Sequence, residues 1–336
     1  HASVLVCPQS AGAPQSTLNL VENQHRAALV AQRAHTAQER VACRIHAALA
    51  LHRFDRTRSP YPPEVFQHIA EAMARAGLPE IGLVGVRSIF GGNLFSKPTP
   101  VTPEVMKQLE TLTPQAPLHV PNLVAFLEAC QAAFPETPVT IMFETSFFVD
   151  LPLRERLYGL DPEVMETQGL RRFGFHGLFH EAACMEAART IRTPVPRILS
   201  ICLEPRPELA AIIGRRPVMV TGGNTPIEGL PGESSCGDLD PSVVLKLAHD
   251  THWGPEEANR VLSSESGLRG LAGRAVSLPE LLTDGDPTLA LAREVFLYHL
   301  LLACGSGIAA MGGLDVVVFS GRYAAAGNYL RPWLER

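Results

Sequence analysis

Apolar residues fall along this chain in short β-branched runs, separated by longer stretches in which they recur at helical spacing. The runs at 4–6, 81–85, 139–143, 198–203 and 316–319 are rich in Val and Ile, as strands covered on both faces tend to be. The stretches at 124–133, 181–190, 243–249 and 289–310 read as helices. Pro103-Glu104 opens a further helix, and Asp240-Pro241 supplies an N-cap followed by proline at the first helical position. Strands alternating with helices predict an α/β chain with mixed sheets. A proline-rich loop at 57–63 sets off an N-terminal segment that reads as helical. The passage 144–153 ends a strand and begins a new helix set, so a seam is expected there, with lobes at 1–148 and 149–336.

Composition narrows the function classes. The 336 residues are 46% hydrophobic and 19% charged, enough for real cores. A net charge of -5 argues against a dedicated nucleic-acid binder. Positive charge does gather between His25 and Arg58, where Arg26, Arg33, Arg40, Arg44, Arg53, Arg56 and Arg58 face only Glu39 and Asp55. A solvated helical face explains this, as does an anion-binding or partner surface. The seven cysteines are scattered, with no C-x-x-C pair, which fits a reducing cytoplasm better than a disulfide or zinc framework. No stretch approaches about 18 uninterrupted apolar residues, and residues 1–18 are too polar for a secretory leader, so neither a membrane nor a nucleic-acid partner is expected.

Specific motifs lie between residues 80 and 322. The run R-R-F-G-F-H-G-L-F-H at 171–180 is similar to the R-R-[YF]-G-F-H-G-T-S-H signature of the acetate and propionate kinase (acetokinase) family. Blocks at 86–92, 116–121, 143–147, 225–231, 237–241, 266–271 and 310–321 resemble further family motifs in the same order. The resemblance implies a two-lobed fold of the acetate and sugar kinase, Hsp70 and actin superfamily, each lobe built on a ribonuclease H-like sheet. It further implies γ-phosphoryl transfer from ATP, with Mg²⁺, to a short carboxylate, and a homodimer.

Carried over residue by residue, the resemblance puts Arg87 at the substrate carboxylate, a role suited to a planar guanidinium fork. Ile89, Leu118, Phe175 and Pro226 would form the apolar wall beside it. His176 would contact the transferring phosphoryl group, His119 would fill a second histidine position, and Glu144 stands where the family has aspartate. These three are the candidate catalytic residues.

The phosphate-handling motifs depart from the family. Ser235 replaces the arginine of T-R-S-G-D, and such an arginine is worth about 10³–10⁵ in rate. The glycine-rich H-L-G-N-G-A-S becomes C-L-E-P-R-P-E at 202–208. Its prolines remove amide donors, and Glu204 and Glu208 bring negative charge that Arg206 cannot obviously offset. The second nucleotide loop reads Gly321-Arg-Tyr-Ala-Ala-Ala326, and C-P-Q-S-A-G-A-P at 7–14 replaces the N-terminal phosphate and metal loop. The run after 267–271 lacks its S-x-D-x-R, and the family's final stretch has no counterpart. The changes fall on ATP and Mg²⁺ more than on the carboxylate pocket. This predicts a catalytically impaired relative, with a non-catalytic carboxylate-binding or regulatory module as the alternative.

Other signals point to packing. Gly305-Ser-Gly307 lacks the strand-turn context of a nucleophile elbow, Asp284-Gly-Asp286 is too sparse for calcium, and His249, Asp250 and His252 read as a helix end.

Overall fold

The computed structural model describes residues 81–116 and 119–334, the strand Arg26–Leu29, and individual positions between 66 and 77. The expected strand at 4–6, the loop at 7–14 and Leu118 lie outside the described residues. The chain divides into two compact units, His1–Ser146 and Phe147–Arg336.

The first unit carries a four-stranded sheet in the order β1-β2-β4-β3. Its strands are β1 (Arg26–Leu29), β2 (Val84–Ser88), β3 (Thr99–Pro100) and β4 (Val139–Phe143). The central pair, β2 and β4, is parallel, with Arg87 opposite Met142 and Ser88 opposite Phe143. Helices α1 (Pro103–Glu110) and α2 (Val120–Ala133) follow β3. Thr102 caps α1 by accepting from the Val105 amide, and Pro103 sits in its first turn.

β1 is a correction. The basic stretch from His25 reads as helical, yet its start pairs antiparallel with β2, Arg26 opposite Arg87. Ala27, Ala28 and Leu29 favour a helix when isolated. The open backbone edge of β2 provides a ladder that overrides this preference. The rest of the basic stretch lies outside the described residues.

The second unit carries a four-stranded sheet in the order β7-β6-β5-β8. Strands β5 (Arg197–Cys202), β6 (Glu208–Ile213) and β7 (Arg216–Val220) form an antiparallel meander. β8 (Val316–Ser320) joins β5 in parallel. Alternate residues of the sheet face two different layers. Leu199, Ile201, Leu209 and Ala211 join Phe296, Leu300 and Cys304 in one core. Ile198, Ala210, Ile212 and Val220 join Phe148, Leu151, Cys184 and Ala187 in another. Coverage on both faces is why the 198–203 run is apolar at every position except Ser200. Phe148 and Leu151 lie in the link before α3 (Leu153–Arg156) and α4 (Pro162–Gln168). Cys184 and Ala187 come from α5 (Gly177–Thr190).

Beyond β7 come α6 (Pro241–Thr251), α7 (Pro255–Ser264), α8 (Gly267–Ala272), α9 (Leu278–Thr283), α10 (Ala290–Met311) and α11 (Gly327–Leu334). Among the described residues, the segment Pro287–Met311 is long and apolar enough to cross a membrane by length and composition, although its apolar run is not uninterrupted. One stripe of α10 (Ala292, Phe296, Leu300, Cys304, Gly307, Met311) is buried against β5 and β6. It is the core helix of this unit. Gly307 packs its bare Cα face against Leu199 and Ala211, which accounts for that glycine, whereas a Cβ at Gly305 would meet open space. His252 is the left-handed C-cap of α6, and Asp250 pairs with Lys246.

Candidate functional site

In the first unit the chemistry gathers at the C-terminal ends of the parallel strands β2 and β4, where open α/β sheets hold their ligands. Arg87 is the fourth residue of β2, and Glu144 is the first residue after β4. Their side chains form a largely buried ion pair, the Arg87 Nε donating to the Glu144 carboxylate; the side-chain exposures are 18% and 2%. The two strand ends are tied again by the Gly91 N–H, which donates to Thr145 Oγ1 at 3.0 Å. Ile89 is half-buried immediately after β2, and Phe90 behind it is buried. His119 is the N-cap of α2, where its side chain makes no capping bond.

In the second unit His176 and Phe175 immediately precede α5. His176 is one of two described non-glycine residues with positive φ, at 55°. Such a backbone costs free energy and is held by its surroundings. Its Nε2 lies 3.0 Å from the Arg206 carbonyl. Phe175 is buried, and Pro226 is half-buried in the loop after β7. Arg172 ties the signature to that loop through a 2.7 Å ion pair with Glu228. Tyr158 completes the knot, its hydroxyl donating to Glu228 and accepting from the Asn224 amide at 2.7 Å.

The loop between β5 and β6 is the most informative element. The carboxylates of Glu204, in this loop, and of Glu208, at the first position of β6, both turn inward. Glu204 accepts from the Arg322 N–H at 2.7 Å and from Arg322 Nε at 2.8 Å. Glu208 accepts from the Phe175 N–H through both oxygens, at 3.0 and 2.8 Å, and lies 3.2 Å from His180 Nε2. Arg206 points elsewhere, to the Ser263 carbonyl at 3.1 Å. Ser235, at the position of the missing arginine, is buried at 1% exposure and its hydroxyl faces Gly232.

His180 is the hub that the motif did not reveal. It is fully buried, with Nδ1 2.7 Å from Ser200 Oγ. Burial pushes its pKa from 6.5 down to about 3, and the nearby His176 pushes the same way. The ring is therefore neutral, Nε2–H donating to Glu208 while Nδ1 accepts from the Ser200 hydroxyl. The folded pKa lies below the unfolded one, so the contribution is complete above about pH 6.5 and lost as pH falls towards 3. Across that window the unfolded chain holds one extra proton. His180→Gln should therefore flatten the stability–pH slope by about 1.4 kcal/mol per pH unit. Urea midpoints at several acidic pH values measure this. An unchanged slope would mean that the ring titrates normally.

A triphosphate fits the described part of this site poorly. Amides and a guanidinium suited to an anion are engaged by the protein's own carboxylates. Among the described residues no group of three His, Cys, Asp or Glu side chains is placed to hold a metal ion.

The profile of the acetokinase family matches residues 34–328. The chain belongs to the acetokinase family. An acetate kinase of Synechococcus sp. (strain JA-2-3B'a(2-13)) is 37% identical over 249 residues, covering 72% of this chain and 61% of that relative. The chain spans about six-tenths of the length of such curated relatives. Among solved structures, the acetate kinase of Porphyromonas gingivalis superposes with a TM-score of 0.74 at 27% identity, covering 81% of this chain and 72% of that one. A propionate kinase from Francisella tularensis shares the fold, with a TM-score of 0.76, 24% identity and the same coverage. The acetokinase fold is thus the α/β acetate and sugar kinase, Hsp70 and actin superfamily fold. Its ribonuclease H-like half is visible in the meander plus parallel strand β7-β6-β5-β8.

Proposed function

We propose that this acetokinase-family chain binds a short carboxylate and that its transfer of a phosphoryl group from MgATP to that carboxylate is impaired. The observation that carries this reading is the pair of inward carboxylates, Glu204 and Glu208. Phosphoryl transfer needs preorganised positive charge and free donors around the transferring group. In this chain the donors at Phe175 and Arg322 already hold negative charge, and Ser235 brings none. On the carboxylate side, Arg87 and Ile89 lie at the end of β2, and Arg87 is oriented by Glu144. The family motifs assign Phe175, Pro226 and Leu118 to the apolar wall, and His119 and His176 to the histidine positions. Such a wall selects ligand length weakly, about 1–3 kcal/mol per methylene.

Family kinship supports the finer attributes. The ligand is a short carboxylate, the assembly a homodimer, the compartment the cytoplasm, and the lobes divide near residue 148. ATP and Mg²⁺ are the family's co-substrate and metal, and retention of both is weak in this reading. The alternative is a regulatory protein with no transfer at all; the same carboxylate pair favours it over a fully active kinase.

Separate calorimetric titrations with acetate, propionate and MgATP test the reading. A carboxylate is expected to bind saturably and to lose binding in Arg87→Ala, while MgATP gives no saturable heat below millimolar concentration. MgATP binding tighter than that would contradict it.

A further inference from the structure

We infer that Glu204 and Glu208 are built-in anions: they occupy two ready-made anion nests of the second unit and set its specificity against phosphate. This rests on the reading above and names what causes the impairment.

The first nest lies at the C-terminal ends of the parallel strands β5 and β8, where α/β sheets place ligands. The loops after these strands are latched together. Leu203 donates its N–H to the Ser320 carbonyl at 2.8 Å and accepts from the Tyr323 amide at 3.0 Å. Gly321, at φ 87°, lets the second loop pass so close to Leu203 that a Cβ would strike its backbone. The latch fixes the Arg322 N–H and Nε so that they converge on the two oxygens of one carboxylate. Convergent amides with a guanidinium form an anion site. Glu204 fills it with one oxygen per donor, and the side-chain exposures are 10% for Arg322 and 6% for Glu204.

The second nest lies just before the 14-residue helix α5, whose N-terminal end favours negative charge. The Phe175 amide points out of it, and both Glu208 oxygens take that amide. Gly222 leaves the room: a Cβ there would overlap the Glu208 carboxylate. A carboxylate buried to 4% exposure needs such partners. The short segment 204–208 thus delivers a negative charge to each nest, and a phosphate entering either must displace a tethered, hydrogen-bonded carboxylate that is itself negative. The tether gives the internal anion a standing concentration advantage over a free one.

Neutralising the internal anion should open its nest. Inorganic pyrophosphate, titrated by calorimetry at matched ionic strength, is expected to bind Glu204→Gln at least tenfold more tightly than the wild-type chain. Glu204→Asp keeps the charge and should remain like wild type. Glu208→Gln tests the second nest independently and serves if Glu204→Gln does not fold. Neutral variants that bind no tighter than wild type would overturn the inference, as would a wild-type chain that already binds pyrophosphate equally well. Acyl phosphate formation by wild type is scored separately. Turnover at the level of an active acetate kinase together with the tenfold gain would refute the impaired-kinase reading alone. No turnover and no gain would refute the built-in anions alone.

Discussion

Glu144→Ala should destabilise the first unit by about 3–5 kcal/mol, because it removes the buried carboxylate to which the largely buried Arg87 guanidinium donates. The loss is not that of a surface ion pair, which would be worth at most about 1 kcal/mol. Glu144 is exposed by only 2% and Arg87 by 18%, so water cannot replace the lost partner easily. Glu144→Gln retains an acceptor and the side-chain volume, and should cost less than alanine. Removing both charges together, as Arg87→Met with Glu144→Leu, should recover much of the loss, since no unpaired charge then remains. Urea denaturation of the four proteins gives the comparison. A loss below about 1 kcal/mol for Glu144→Ala would show that solvent screens the pair.

Phe296→Ala should cost the second unit about 3–5 kcal/mol. Phe296 sits at 0% exposure in the middle of α10, in the same core as Leu199, Ile201, Leu209 and Ala211 of the sheet. Alanine would leave a cavity in a layer held from both sides by regular elements, which relax little. Tyr298, two residues further along the same helix, is 57% exposed. Tyr298→Ala should therefore fall within about 0.5 kcal/mol of wild type. Equal effects at the two positions would contradict the assignment of this apolar helix as a one-sided core helix.

How far the sequence reveals these features depends on whether the signal is local. The 139–143 run coincides with β4, and the 198–203 and 316–319 runs fall within a residue of β5 and β8, because short β-branched runs mark strands in their own residues. β6 and β7 carry no such unambiguous signal. Leu209-Ala-Ala-Ile-Ile213 suits a helix as well as a strand, and Pro217 demotes the next run to an edge, which is where β7 lies. The start of the basic stretch hides its strand in the same way, since only the edge of β2 makes Arg26–Leu29 a strand.

The site shows the same division. The motifs carry Arg87 and Glu144, and parallel pairing of β2 with β4 puts them side by side. The glutamates at 204 and 208 are visible as misplaced charge in a loop. Their partners are not. Arg322 is 118 residues from Glu204, and it meets Glu204 because β5 and β8 are parallel neighbours. His180 reads as the last letter of a signature, and its role as a buried neutral donor to Glu208 follows from the packing of α5 on the sheet.

The most direct measurement is acyl phosphate formation from MgATP and a panel of short carboxylates, trapped as the hydroxamate with hydroxylamine. The account predicts turnover far below that of an active acetate kinase from a folded chain that still binds a carboxylate, and none at all if the chain is purely regulatory. Turnover at the level of an active acetate kinase, abolished by Arg87→Ala or His176→Ala, would contradict it and reveal a working kinase whose phosphate contacts bypass Glu204 and Glu208.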